Sequence, residues 1–203
     1  MKQGMIVLLN GTSSSGKTSI SNELLAQKDI VFHHLSVDDF IKDFFNNKFL
    51  VDIEPAREIA EQTIMEIMFD PINSLYYATV KLYSEMGLNV IVDTVIDNDK
   101  WFNDCLNAFN DHPTLLIGVI CSKEELIRRE EQRGDRNIGL AVSQFNQVYS
   151  IDEYDVKVNT EELTPGECAD KILRFVKSKQ AFTAFKKLGK RNVKAASEGA
   201  CES

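Results

Sequence analysis

Gly11-Thr12-Ser13-Ser14-Ser15-Gly16-Lys17-Thr18 fits G-x-x-x-x-G-K-[ST] at every defined position. The chemistry of that pattern is phosphate binding. Glycines let the backbone fold around an anion with successive N–H groups pointing inward. The helix that follows adds the partial positive charge of its N-terminus. Lys17 can reach the β- and γ-phosphates of a nucleotide, and the Thr18 hydroxyl can ligate Mg²⁺. The context agrees, because an apolar run, Ile6-Val7-Leu8-Leu9, precedes the loop and Ile20, Leu24 and Leu25 follow at helical spacing. The pattern speaks for a bound nucleotide and says little about what is done with it.

Two acids stand where such a site needs them. Val90-Ile91-Val92-Asp93 is an apolar strand ending in a carboxylate, which at a strand's C-terminal edge can hold Mg²⁺ or its waters. Ser36-Val37-Asp38-Asp39 closes the second strand and opens a helix. Asp38 is then placed to accept the proton of an acceptor hydroxyl as its oxygen attacks phosphorus. Asp39 is read as a helix cap. Ordinary caps and turns also use aspartate, so the phosphate loop is what tips Asp93 and Asp38 toward chemistry.

Guanidinium groups suit the charge that spreads over a transferring phosphoryl group. Arg133 and Arg136 flank a Gly-Asp turn that could close over a nucleotide; surface ion pairs are the alternative. Arg128 and Arg129, interleaved with glutamates, read as a solvated helix face with local ion pairs. His33 and His34 lie within a strand and read as structural. Trp101, Tyr76, Tyr77 and Tyr83 read as core, while some of Phe40, Phe44, Phe45 and Phe49 could wall an acceptor pocket.

These residues need a frame, and the hydropathy pattern supplies one. Strands are expected at 6–9, 31–37, 89–92, 114–120 and 155–158. Three of them are continuous apolar runs, the mark of strands buried on both faces. Helices are expected at 17–27, 39–47, 55–68, 71–86, 99–110, 123–133, 140–149 and 165–179. Pro55, Pro71 and Pro165 are expected in first helical turns, the latter two behind Asp70 and Thr164 as capping side chains, and Gly87 is expected as a helix stop. Such alternation makes an α/β fold, a parallel sheet with helices on both faces.

The chain has 203 residues, 43% hydrophobic and 27% charged, which fits one domain with a sizeable core. Its net charge of −8 disfavours nonspecific binding to nucleic-acid backbones. No apolar stretch approaches the ~18 residues of a membrane span, and no signal-peptide pattern is present. Cys105, Cys121, Cys168 and Cys201 are widely spaced and read as reduced thiols of a cytoplasmic protein. The domain is expected over 1–180. From 181 to 203 the composition turns basic, with Lys186, Lys187, Lys190, Arg191 and Lys194 against Glu198 and Glu202. That segment reads as a fraying helix end and a solvated, flexible tail.

Several separated segments together resemble the chloramphenicol phosphotransferase family of P-loop kinases. They are Leu9-Asn10 with the phosphate loop, Val37-Asp38, Val92-Asp93, and Arg133-Gly134-Asp135-Arg136-x-x-Gly139-x-Ala141-x-x-Gln144. Tyr154-Asp155-Val156-x-Val158-x-Thr160 and Glu167-Cys168-Ala169 complete the match, over about 5–178. The resemblance implies a three-layer P-loop kinase fold with a five-stranded parallel sheet. It also implies ATP as donor, Asp38 as general base toward a hydroxyl, and phosphate contacts from Lys17, Arg133 and Arg136. The acceptor would be a small hydroxylated molecule, chloramphenicol or a relative. The stretch from about Phe40 to Leu75 carries text of its own, where an acceptor pocket is expected. A kinase of a nucleotide, sugar or other metabolite would share the phosphate-site residues, and a nucleotide-dependent switch is a rival of another class. No guanine-reading N-K-x-D is present to favour the switch.

Overall fold

Strands that are apolar at every position must be covered on both sides, and the architecture meets that demand. The computed structural model describes residues 2–46, 69–133 and 139–199. In chain order these form β1 (Ile6–Asn10), α1 (Lys17–Ala26), β2 (Phe32–Ser36), α2 (Val37–Asn46), α3 (Asp70–Glu85), β3 (Asn89–Thr94) and α4 (Asp99–Phe109). There follow β4 (Thr114–Ile120), α5 (Lys123–Arg133), α6 (Leu140–Val148), β5 (Val156–Asn159), α7 (Pro165–Lys177) and α8 (Ala184–Gly199). The strands make one five-stranded parallel sheet in the order β2-β3-β1-β4-β5.

Alternate side chains of β1 serve opposite layers. Ile6 and Leu8 pack with Tyr76, Val80, Leu106 and Phe109 of α3 and α4. Val7 and Leu9 pack with Ile20, Leu24, Ile172 and Leu173 of α1 and α7. Parallel register then aligns the carboxyl edges: Leu9 is paired with Asp93, and Asp93 in turn with Ser36. The chain therefore leaves β1, β2 and β3 at one end of the sheet, where open α/β sheets bind ligands.

Local signals hold in detail at several ends. Thr164 and Glu167 form a reciprocal capping box at the start of α7. At the end of α3, Gly87 N donates to Ser84 O and Leu88 N to Tyr83 O. At the start of that helix Asp70 does not cap: the cap position is Phe69, and the Asp70 carboxylate instead accepts from Trp101 Nε1 at 2.9 Å. Asp39 is likewise no cap. Helix α2 begins at Val37, and Ser36 Oγ accepts from Asp39 N at 3.4 Å. The expected helix at 55–68, with its start at Pro55, lies outside the described residues. Cys105, Cys121 and Cys168 are free buried thiols, and no helix among the described residues is long and apolar enough to cross a membrane.

The reading of 181 onward as a flexible tail is corrected by α8. Ala184, Phe185 and Leu188 are buried in the same layer as Phe109, and the Phe185 and Phe109 ring centroids are 6.3 Å apart. Asp155 Oδ1 accepts from Thr183 N and Ala184 N, supplying partners to the helix start. Lys187 pairs with Glu153, and Arg191 with Asp152 and Glu153. A charge count hides this helix because it ignores the spacing of its apolar residues.

Candidate active site

Tight sterics explain the glycines of the phosphate loop. A Cβ on Gly11 would stand 2.6 Å from Ser15 Oγ and 2.8 Å from Val119 O. Gly16 holds φ +95°, and Ser14 before it also lies in the left-handed region at φ 59°. Lys17 is folded back over this turn, its ammonium donating to Gly11 O at 2.9 Å and Thr12 O at 2.8 Å. Thr12 Oγ1, Ser14 Oγ and Ser15 Oγ are buried without hydrogen-bond partners. Buried polar atoms are normally paired, so their concentration in this loop fits a turn whose polar partner is a bound anion.

The register of β1 against β3 brings Asp93 to the loop. Thr18 Oγ1 donates to Asp93 Oδ2 at 2.8 Å, and Lys17 Nζ lies 3.9 Å from Asp93 Oδ1. Asp93 is 6% exposed. Burial by itself would raise its carboxyl; the facing His34 imidazole, the Lys17 ammonium and the Thr18 hydroxyl outweigh it and hold the acid below its ordinary range. A hydroxyl and an ionised carboxylate joined beside a phosphate loop are a donor set of hard oxygens, which fits Mg²⁺. Sequence reasoning set His34 aside; the structure puts its Nε2 3.8 Å from Asp93 Oδ2, beyond hydrogen-bond distance. His33 is structural as expected, edge-on to Tyr83 at 5.5 Å.

Distant side chains brace the loop. Arg129 is no solvated residue: while its Nε pairs with Glu125 at 2.8 Å, Nη1 donates to Thr160 Oγ1 at 3.0 Å and Nη2 to Thr160 O at 2.8 Å. Thr160 Oγ1 in turn donates to Ser15 O at 2.8 Å. Arg128 does keep to the helix surface, paired with Glu125. Gln144, on α6, accepts from Ser13 N through Oε1 at 2.9 Å. Glu130 orients that helix from a fully buried position, accepting from Gly139 N at 2.9 Å and Ala141 N at 2.7 Å. Tyr154 OH accepts from Asn10 Nδ2 at 2.8 Å. Of these, Asn10, Gly139, Ala141, Gln144, Tyr154 and Thr160 fall in the segments that resemble the family, where the sequence assigns them no role. Arg129 and Glu130 carry a signal only through long-range contacts.

Around this loop opens a cavity of about 550 Å³, the size of a small-molecule site. Lys17, Thr18 and Asp93 line it with Asp38, from the first turn of α2, and Arg133, the last residue of α5. All these predicted residues therefore converge; Arg136 lies outside the described residues. Trp101, expected in the core, lines the cavity instead. Its backbone and indole N–H are tied to Asn98 and Asp70, which turn the ring to the site rather than into the sheet layer.

A family model described as chloramphenicol phosphotransferase-like protein matches residues 4–177. A Mycobacterium tuberculosis protein provisionally named an O-phosphotransferase is 29% identical over 206 residues, spanning 94% of this chain and 90% of that protein. Among solved structures, the Mycobacterium tuberculosis APS kinase in complex with AMPPNP and APS has a TM-score of 0.63 at 14% identity, covering 87% of this chain and 99% of that one. Shikimate kinase from Aquifex aeolicus has a TM-score of 0.52 at 18% identity, covering 86% and 97%. The fold is that of P-loop kinases.

Proposed function

Because the chain belongs to the chloramphenicol phosphotransferase-like family, a class of phosphotransferase on a kinase fold, we propose that it moves the γ-phosphoryl group of ATP to a hydroxyl of a small molecule. The observation that carries this reading is one cavity lined both by a phosphate loop with its Thr18–Asp93 pair and by Asp38. A second carboxylate on that cavity, besides the one paired with Thr18, supports transfer to an acceptor over a switch.

In this reading the loop amides and Lys17 hold the β- and γ-phosphates, and Lys17 exchanges its loop carbonyls for phosphate oxygens. Thr18 and Asp93 would hold Mg²⁺, which when bound supplies charge neutralisation at the phosphates. Asp38 orients the acceptor hydroxyl and takes its proton as the oxygen attacks the γ-phosphorus; the bond to the β–γ bridging oxygen breaks and ADP leaves. Arg133 stabilises the charge on the transferring group, with Arg136 in the same role.

An acceptor screen that includes chloramphenicol, with ATP and mass detection of an added phosphoryl group, tests the reading. Asp38→Ala is expected to keep nucleotide binding and to lose about 10²- to 10⁴-fold in transfer, the usual scale of general-base catalysis. Full activity in that variant sinks the base assignment. Nucleotide-dependent capture of a protein partner, with no acceptor phosphorylated, sinks the kinase reading.

A further inference from the structure

Beyond the phosphate residues, the cavity wall that follows β3 carries a further acid, Asp97. Asp97 is half-buried and lines the cavity. Among the described residues it has no ion pair; its side chain accepts from Asn98 Nδ2 at 3.3 Å and is hydrogen-bonded by Gln144. Both partners are neutral amides, which orient a carboxylate without neutralising it. Asn98 serves the neighbouring wall too, because its Oδ1 accepts from Trp101 N at 2.9 Å. The Trp101 ring is then held by Asp70 at its indole N–H, and its carbonyl accepts from the Tyr77 hydroxyl at 3.3 Å. One asparagine therefore fixes both an acid and an aromatic ring on the same cavity, and Ile72 and Val95 complete an apolar surface beside them.

A carboxylate next to an indole is the pairing that recognises an ammonium group. The acid supplies a charge-assisted hydrogen bond, and the ring face supplies cation–π attraction. Resting on the kinase reading above, we infer that the wall formed by Asp97 and Trp101 selects an acceptor that is an amino alcohol, its protonated amine held at Asp97 and its apolar or aromatic body against Trp101 and Ile72. Asp97 is thus a specificity-determining residue and not a catalytic one. Burial pushes its carboxyl up, only partly offset by the Asn98, backbone and Gln144 hydrogen bonds. Gln144 joins the two ends of the site, since its other amide atom accepts from Ser13 N of the phosphate loop.

The test uses the full chain and a matched pair of probes, 2-amino-1-phenylpropane-1,3-diol and its N-acetyl form, which share hydroxyls and differ in charge. Calorimetric titration is run with AMPPNP present, and phosphoryl transfer is measured separately with ATP. The amine is expected to bind about 10- to 100-fold more tightly than the amide, the scale of one charge-assisted hydrogen bond. Asp97→Asn should erase that preference while leaving ATP affinity and amide affinity unchanged. Equal binding of amine and amide by the wild-type chain overturns the inference whatever the variant does. So does a loss of ATP affinity in Asp97→Asn, which would place this acid at the metal–phosphate end. Preferential amine binding that Asp97→Asn abolishes, without transfer to either probe or to any screened acceptor, upholds amine recognition and overturns the kinase reading alone.

Discussion

On the kinase reading, the phosphate half of the cavity is one octapeptide braced by Gln144, Arg129 and Thr160, whereas the acceptor half would be gathered from α2, the start of α3 and the segment joining β3 to α4. The first half is dense in short hydrogen bonds to backbone atoms. The second mixes apolar walls with a few oriented polar groups, Asp38, Asp97 and Asn98 among them. Phosphate has the same geometry in every nucleotide, so a rigid backbone cradle suits it. An acceptor varies in shape, and its site is composed of side chains that can change without disturbing the loop.

The contrast can be broken by substitution. The largest effect is expected from Lys17→Ala, which should lower kcat/KM about 10³-fold, the upper range for removing one stabilising donor, and weaken nucleotide binding in direct titration. A loss confined to the acceptor KM would contradict the division. Arg129→Ala comes next. It removes the bonds to Thr160 and should weaken nucleotide affinity about tenfold, on the scale of one hydrogen bond to a charged group, with acceptor KM unchanged. Arg129→Lys should not rescue it, because an ammonium cannot span Glu125 and both Thr160 oxygens. A shift in acceptor KM of the same size would merge the halves into one.

A smaller effect sharpens the electrostatic side. The Asp93 carboxyl is held below its ordinary value in the folded chain. The stability it contributes is therefore present above the unfolded value near 3.9 and is lost as pH falls through the lower folded value. Urea midpoints measured from pH 5 down to pH 2 should decline less steeply in Asp93→Asn than in the wild-type chain. An unchanged slope would mean that Lys17, Thr18 and His34 do not hold the acid as the geometry indicates.

Legibility followed the same division. The loop, Asp93 and the strand pattern could be read because each signal is contiguous: a motif of fixed spacing, or an apolar run whose period names its cover. Asp38 was readable through its place after β2. Arg129 was not, since its glutamate neighbours in sequence suggest a solvated face and its functional partner, Thr160, is far along the chain. Trp101 reads as core on hydrophobicity, and Asn98 with Asp70, the latter from another helix, turns it to the cavity. Asp97 offered no signal at all, being one aspartate in a polar turn. The family match at 4–177 covers the helices that position these residues and the stretch after Asp38 as well.

By itself the sequence determined the layered parallel fold and the phosphate loop, because hydrophobic period and backbone-driven turns are local properties. Tertiary structure decided which of many charged and aromatic side chains face the cavity, and that the basic C-terminal segment packs as a helix. Those outcomes depend on contacts between elements far apart in the chain, where one carboxylate or one amide can serve as cap, brace or recognition group according to what the fold sets beside it.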